Sequence, residues 1–271
     1  MPRFAANLSM LFTELPFLDR FAAARQTGFE AVEFLFPYAW PAKQIRELLD
    51  EHRLLLVLHN LPAGDWEAGE RGIACLPDRV EEFRAGVHRA LDYAQALGVS
   101  QLNCLMGKVP QGLASELVDQ TVVDNLRYAA AALKEQQIRL LIEPINTRDI
   151  PHYFLNRQAH AHAIIEEVGA ANLKVQMDLY HCQIVEGDVA SKIAAYLPTG
   201  RVGHFQIAGV PQRHEPDVGE LHHPHLFEVI DQVSAQCGWQ GHIGCEYRPL
   251  KGGQAGGTSA GLNWFRSATH P

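Results

Sequence analysis

The sequence predicts an α/β protein, a single (β/α)8 barrel over residues 1–271, on two observations. Short apolar segments that end in a polar residue alternate with longer stretches that have helical periodicity. The alternation occurs eight times, at about 34 residues per unit, which matches the roughly 250 residues of a typical (β/α)8 barrel. The rival architecture, a doubly wound open sheet, would carry a glycine-rich phosphate loop after an early strand, and neither GxGxxG nor GxxxxGK[ST] occurs.

The boundaries of the elements follow from the apolar pattern and from residues that start or stop helices. Strands are predicted over residues 4–7, 31–33, 54–59, 100–103, 139–143, 173–178, 202–206 and 242–246. Helices are predicted over residues 15–26, 43–51, 78–97, 115–137, 157–168, 189–196, 225–236 and 258–266. Asp78 would cap the third helix. Four glycines, each just past a predicted helix, would end it in a left-handed conformation: Gly28, Gly98, Gly169 and Gly238.

Composition excludes several classes of protein. Twenty-three Lys and Arg residues against 31 Asp and Glu residues give a net charge of −8, which opposes binding to nucleic acid or to anionic lipid. No apolar segment approaches the roughly 20 residues that span a bilayer, and residues 1–7 lack the apolar core of a signal peptide. The five cysteines form no CxxC pair, which predicts buried thiols in a reducing compartment. We therefore expect a cytoplasmic protein without nucleic-acid or membrane partners.

Four consecutive strand ends carry oxygen ligands. Glu143, Asp178, Gln206 and Glu246 end the fifth to eighth predicted strands. Because the carboxyl ends of all barrel strands meet at the mouth where chemistry occurs, these side chains should converge there. Three carboxylates and an amide suit Mg²⁺ or Mn²⁺ rather than zinc. The alternative is that each acid caps a neighbouring helix or pairs with an arginine. Such a coincidence is harder to maintain at four successive strand ends, and a bound metal would compensate the charge that they collect.

Other candidate residues allow more than one role. His181, three residues past Asp178, suits a metal ligand, a hydrogen-bond donor to substrate or a surface histidine. His59 precedes a loop with Pro and Gly, where a structural role and a substrate contact are equally consistent. Arg213 would pair with an anionic group of the substrate or lie exposed in its loop. The histidine-rich segment 222–225 is similar to a metal-binding tract, but its place just before a predicted helix indicates a surface segment or the start of that helix.

Six segments carry a resemblance to a known family: residues 4–10, 32–38, 59–66, 69–75, 141–146 and 244–247. They are similar to the corresponding segments of bacterial hydroxypyruvate isomerases, which belong to the xylose isomerase-like barrels. The resemblance implies that Glu143 and Glu246 are the acid/base pair and that they bind the metal with Asp178 and Gln206. It also implies substrate contacts from His181 and Arg213.

The implied reaction is the interconversion of hydroxypyruvate and tartronate semialdehyde. The metal would act as a Lewis acid while two glutamates move a proton through an enediolate, and a hydride shift is the alternative. Residues 207–217 resemble instead a sister group, the 2-oxo-tetronate isomerases, so a four-carbon acid is the alternative substrate. The expected partner is a small 2-oxo or hydroxy acid, and a homo-oligomer is an open alternative.

Two unrelated functions compete with isomerisation. Abasic-site endonucleases share the barrel but use three metals with additional His and Asp ligands, whereas Asn103 and Gln206 end the fourth and seventh strands here. A sugar-acid binding protein without turnover would not require four convergent oxygen ligands. Both functions are less consistent with the sequence than isomerisation.

Overall fold

The computed structural model describes residues 2–269, and its centre is a closed barrel of eight parallel strands. The strands are β1 Phe4–Asn7, β2 Ala31–Glu33, β3 Leu55–Asn60, β4 Gln101–Cys104, β5 Arg139–Ile142, β6 Leu173–Asp178, β7 Val202–Ile207 and β8 Ile243–Cys245. Each strand pairs with the next in the chain, and β8 pairs back with β1. The predicted (β/α)8 fold is confirmed.

Helices connect the strands and pack around the barrel. They are α1 Arg20–Gln26, α2 Ala42–Glu51, α3 Val80–Leu97, α4 Ser115–Lys134, α5 Gln158–Val168, α6 Leu179–Val185, α7 Val189–Tyr196, α8 His223–Cys237, α9 Gly257–Ala260 and α10 Asn263–Thr269. Short 3-10 turns cover Phe17–Asp19, Pro77–Arg79 and Leu197–Thr199. Within residues 2–269, every helix is too short or too polar to cross a bilayer.

Of the predictions about helix ends and cysteines, some are confirmed and others are wrong. The prediction that Asp78 caps a helix is wrong, because Asp78 lies inside a 3-10 turn that runs into α3, whose N-cap residue is Arg79 without a side-chain cap. The four glycines predicted to end helices all have positive φ, as expected for left-handed residues. Four of the five cysteines are buried, whereas Cys237 at the end of α8 is exposed. The sequence pattern missed α6, which begins at Leu179 directly after β6 and leaves no loop to mark the change.

The barrel interior becomes polar toward the carboxyl ends of the strands. Alternate residues of each strand face inward, and a small apolar cluster that includes Ala5 and Ala31 lies within the barrel. Farther along, Glu33 at the end of β2 is fully buried. Its carboxylate forms hydrogen bonds with Asn7 Nδ2 (2.9 Å), His204 Nε2 (2.7 Å) and Gln206 Nε2 (2.7 Å). This network joins β1, β2 and β7 directly beneath the mouth.

We expect Gly244→Ala to destabilise the protein by about 1–3 kcal/mol, the usual cost of overpacking. A Cβ at Gly244 would overlap both carboxylate oxygens of Glu33, and three hydrogen bonds prevent that carboxylate from moving away. The matched control is Gly253→Ala, because a Cβ at Gly253 meets no atom within 4 Å. Thermal and denaturant unfolding of the two variants measures the difference, and equal stability would contradict the close contact.

Candidate active site

Four titratable side chains meet at the mouth of the barrel. Glu143, Asp178, His181 and Glu246 each offer an atom that can bind a metal, and these atoms lie within 4.8 Å of one another. Glu143 and Glu246 directly follow β5 and β8, Asp178 ends β6, and His181 lies in the first turn of α6. All four are buried. The structure thus brings together three of the four predicted ligands and the histidine predicted beside them.

Burial and mutual repulsion make it unfavourable for the three carboxyls to be ionised at the same time. Burial, reinforced by Glu246 and Asp178, raises the pKa of Glu143 well above its usual range. Burial also raises the pKa of Asp178, and it raises the pKa of Glu246 to about 7. The opposing charge is the Arg213 guanidinium, which favours the ionised form of each carboxyl. Because like charges at this separation disfavour joint ionisation, the cluster has a strong electrostatic preference for an additional cation.

The two oxygens of Asp178 have different surroundings. Oδ1 caps α6 by accepting hydrogen bonds from the backbone N–H groups of Tyr180 (2.7 Å) and His181 (3.1 Å). Oδ2 is buried and has no hydrogen-bond partner among residues 2–269. Helix capping therefore accounts for one oxygen only. An unpartnered buried carboxylate oxygen beside two further carboxyls fits a divalent cation.

Gln206, the fourth predicted ligand, lies opposite Asp178 in the β6–β7 register. Its Nε2 donates to Glu33 Oε1 (2.7 Å), and its Oε1 accepts from Gln176 Nε2 (2.6 Å). The bond to Glu33 determines which end of the amide is the nitrogen. A carbonyl oxygen has two lone pairs, so Oε1 keeps one for a further partner.

Arg213 lies among the carboxylates of the protein itself. Its guanidinium contacts the Glu246 carboxylate, and it lies 3.8 Å from Asp149 and 4.0 Å from Asp178. It also stacks over the Tyr180 ring at 5.1 Å. Arg213 lines the cavity at the mouth, and its positive charge offsets the charge of the carboxyl cluster.

The two candidate histidines have different surroundings. His181 lines the cavity, with Nε2 at 3.9 Å from Glu143 and 3.8 Å from Asp178. Burial, followed by Arg213, lowers the pKa of His181 well below the usual range, which favours the neutral ring. His59 is fully buried, with ring centroids 6.4 Å from Phe34 and 6.0 Å from Tyr38. These contacts support a structural role for His59.

The cavity above the cluster has a volume of about 700 Å³. Aromatic side chains form part of its wall, with Phe17 stacked on Trp40 at 4.2 Å and Phe36 packed 5.0 Å from Trp66. Arg71 stacks on the Trp66 ring at 4.0 Å and also lines the cavity. The site is therefore a wide cavity with an acidic floor, apolar walls and arginines at its sides.

Sequence reasoning missed three polar residues of the site. Asn103 Nδ2 donates to Glu143 Oε2 (3.0 Å), Asn146 contacts His181 Nδ1 (2.6 Å), and Glu33 holds Gln206. Glu33 and Asn103 lie at or near the ends of β2 and β4, so applying the strand-end rule to the first half of the barrel would have found them. Asn146 lies in a loop, where no periodic signal marks it.

Residues 21–268 match the model of a known family, the xylose isomerase-like TIM barrel. The chain belongs to this family. Among curated relatives, a 2-oxo-tetronate isomerase of Cupriavidus necator is 54% identical and the hydroxypyruvate isomerase of Escherichia coli K12 is 49% identical, each over 98% of both chains. These relatives are isomerases, and this xylose isomerase-like protein is an enzyme of that class.

A solved structure gives the same fold. The crystal structure of a protein named AP endonuclease, family 2, from Brucella melitensis is 46% identical, with a TM-score of 0.91 over 98% of this chain and 99% of that one. The fold of this xylose isomerase-like protein therefore agrees with an experimental structure along almost its whole length.

Addition of Mn²⁺ to metal-free protein is expected to release protons, and more at pH 6 than at pH 8. The pKa of Glu246, raised to about 7, keeps this carboxyl largely protonated at pH 6, whereas a cation binds its ionised form. Apparent affinity should therefore fall as the pH falls through 7. Calorimetry in buffers of different ionisation enthalpy counts the protons. Glu246→Gln should release fewer protons than wild type. Equal proton release at both pH values would contradict the raised pKa of Glu246.

Proposed function

We propose that this protein is a hydroxypyruvate isomerase, which interconverts hydroxypyruvate and tartronate semialdehyde. The observation that carries the proposal is a pair of buried glutamates, Glu143 and Glu246, in one cluster with an unpartnered oxygen of Asp178. Two carboxyls of raised pKa on one cavity suit the removal of a proton from one carbon and its return to the next. The name of the 49% identical relative supports the substrate.

The proposed metal ligands are Glu143, Asp178, Gln206 and Glu246, and the proposed ion is Mg²⁺ or Mn²⁺. Four oxygen donors are the set that these hard cations prefer. When bound, such a cation polarises the oxygens of the substrate and makes the neighbouring C–H bond more acidic. The buried Oδ2 of Asp178 and the mutual repulsion of the carboxyls support this assignment.

The two glutamates carry out the proton transfers. One removes a proton from C3 of hydroxypyruvate to form an enediolate, and the other delivers a proton to C2. The C3 oxygen loses its proton and the C2 oxygen gains one, so the product is the isomeric aldehyde. Asn103 holds one oxygen of Glu143, and Arg213 holds Glu246. A carboxyl whose pKa lies near neutrality holds and releases protons readily at neutral pH.

His181 and Arg213 are the proposed substrate contacts. Both line the cavity beside the glutamates. A neutral imidazole can donate one hydrogen bond to a substrate oxygen, and a guanidinium has five N–H donors, of which only some are needed for Glu246. Arg213 would therefore bind the substrate carboxylate with the donors that remain.

A 2-oxo-tetronate isomerase is the second candidate function. The 54% identical relative carries that name, and residues 207–217 resemble that group. The mechanism would be the same, because the second substrate differs by one hydroxymethylene unit beyond the reacting carbons. The cavity of about 700 Å³ is large enough for either acid.

Cleavage of abasic DNA is the distant alternative, since the solved relative from Brucella melitensis is named as an AP endonuclease. The net charge of −8 opposes binding to a phosphate backbone. The buried cluster also contains a single histidine, whereas the three-metal site expected of such enzymes requires several His and Asp ligands.

The substrate is tested by measuring kcat/KM for hydroxypyruvate and for 2-oxo-tetronate on one Mg²⁺-loaded preparation, with metal-free enzyme as the control. We expect turnover of both, with hydroxypyruvate preferred, and a difference of about 10–200-fold because one additional carbon is worth ~1–3 kcal/mol. A preference for the four-carbon acid would assign the second function. Metal-dependent nicking of an abasic duplex, with neither acid converted, would overturn both.

The roles of the glutamates are tested by Glu143→Gln and Glu246→Gln in D₂O. Each variant should lose isomerisation by at least about 10²-fold, because general acid–base groups contribute ~10²–10⁴. The variant that keeps the first base should still exchange a substrate hydrogen for deuterium, whereas the other should exchange none. Asp149→Asn is the control for loss of a carboxylate near Arg213. Wild-type turnover that leaves no solvent deuterium in the product would favour a hydride shift.

A further inference from the structure

His181 is held between an amide on one side and carboxylates on the other. Its Nδ1 lies 2.6 Å from Asn146 Nδ2, and its backbone N–H donates to Asp178 Oδ1 (3.1 Å). Its Nε2 lies 3.9 Å from Glu143 Oε1 and 3.8 Å from Asp178 Oδ2, beyond hydrogen-bond distance. The ring therefore has one engaged nitrogen, and the other faces the cluster and the cavity.

The orientation of the Asn146 amide is determined by the backbone. Asn146 Oδ1 accepts a hydrogen bond from the backbone N–H of Asp149 (2.8 Å), and its backbone carbonyl accepts from the N–H of Ile150 (3.2 Å). A backbone N–H can only donate. If the amide were reversed, Nδ2 would face that N–H and two donors would oppose each other. Nδ2 is therefore the end that faces His181.

The amide orientation in turn determines the tautomer of His181. Because Asn146 presents an N–H to Nδ1, that ring nitrogen must accept and cannot carry a proton. The ring is then neutral with its proton on Nε2, since an imidazolium would place a second donor against Nδ2. The Asp149 backbone N–H thus orients the Asn146 amide, and that amide places the proton of His181 on the Nε2 that faces the cavity.

We propose that Asn146 is a positioning residue that holds His181 as the Nε2–H tautomer, so that His181 donates to a substrate oxygen and does not bind the cation. A histidine that binds a metal through one nitrogen normally donates from its other nitrogen to an acceptor. Asn146 presents the opposite chemistry. The role toward substrate rests on the proposed function, whereas the tautomer and the exclusion from the metal do not.

This arrangement assigns His181 a task in the reaction. As a proton leaves the substrate carbon, negative charge develops on the neighbouring oxygen. A neutral, buried N–H donor stabilises that charge by a hydrogen bond without transferring its proton. Removal of one such donor costs about 10²–10³-fold in kcat. In this arrangement the carboxylates would hold the cation, and the imidazole would donate a hydrogen bond to a substrate oxygen.

The decisive substitution is Asn146→Asp. The new carboxylate can still accept from the Asp149 N–H, but it presents an acceptor to His181 Nδ1 in place of a donor. The proton should move to Nδ1, and Nε2 should then present a lone pair to the cluster. Asn156→Asp is the matched control, because Asn156 follows the same strand and its Nδ2 donates to the Tyr153 carbonyl at 3.3 Å.

The tautomer is read by nitrogen-15 NMR of histidine-labelled, metal-free protein, with His181→Gln used to assign the signals. We expect protonated Nε2 and unprotonated Nδ1 in wild type and in Asn156→Asp, and the reverse in Asn146→Asp. An Nδ1–H in wild type would overturn the proposal. An unchanged tautomer in Asn146→Asp would also overturn it, because Asn146 would then not control the ring.

The metal contact is read by pulsed EPR of the same labelled proteins loaded with Mn²⁺ alone. Wild type should show no directly bonded histidine nitrogen, whereas Asn146→Asp should gain one. A bonded nitrogen in wild type would make His181 a ligand and overturn the proposal.

With substrate, Asn146→Asp should lower kcat by about 10²–10³-fold with a smaller change in KM. If wild type converts neither acid while the NMR and EPR spectra are as expected, the proposed function is wrong, but the assigned tautomer of His181 is still supported.

Discussion

The structure depends on the burial of three carboxyls at one point of the barrel mouth. Glu143, Asp178 and Glu246 lie with metal-capable atoms within 4.8 Å of one another, and Arg213 provides the opposing charge. A fold tolerates this arrangement only if a gain elsewhere offsets the cost of desolvation. The caps, amides and guanidinium around the cluster are all explained by that cost, since each stabilises an ionised or oriented oxygen.

The support for the cluster extends into the barrel. Glu33 is fully buried and accepts three hydrogen bonds, one of them from Gln206. Gly244 leaves room for this carboxylate, because any larger residue would overlap it. The part of the barrel interior around Glu33 is therefore a polar network whose hydrogen bonds orient the Gln206 amide. Orientation through a second layer of contacts is typical of metal and catalytic sites.

Two residues of the site, Arg213 and Asn146, come from loops that follow strands. Arg213 follows β7 with a positive φ, and it reaches carboxylates from the ends of β6 and β8. Asn146 follows β5 and joins a backbone amide of its own loop to the imidazole of His181. The carboxylates therefore lie at or directly after the ends of strands, whereas the group that offsets their charge and the group that orients His181 come from the loops that follow β7 and β5.

The eight-fold repeat and the acids at the ends of the later strands could be predicted from the residues alone, because strand periodicity and barrel geometry act locally and repeat. Glu143, Asp178 and Glu246 were predicted on that basis. Three-dimensional contacts were needed to show that Asp178 caps α6 with one oxygen, that His59 is enclosed by aromatic rings, and that Asn146 orients His181. The contacts of His59 and Asn146 join residues distant in the chain, and no periodic pattern encodes them. The cap by Asp178 is local, but it depends on a helix that begins at Leu179 without a loop to mark it.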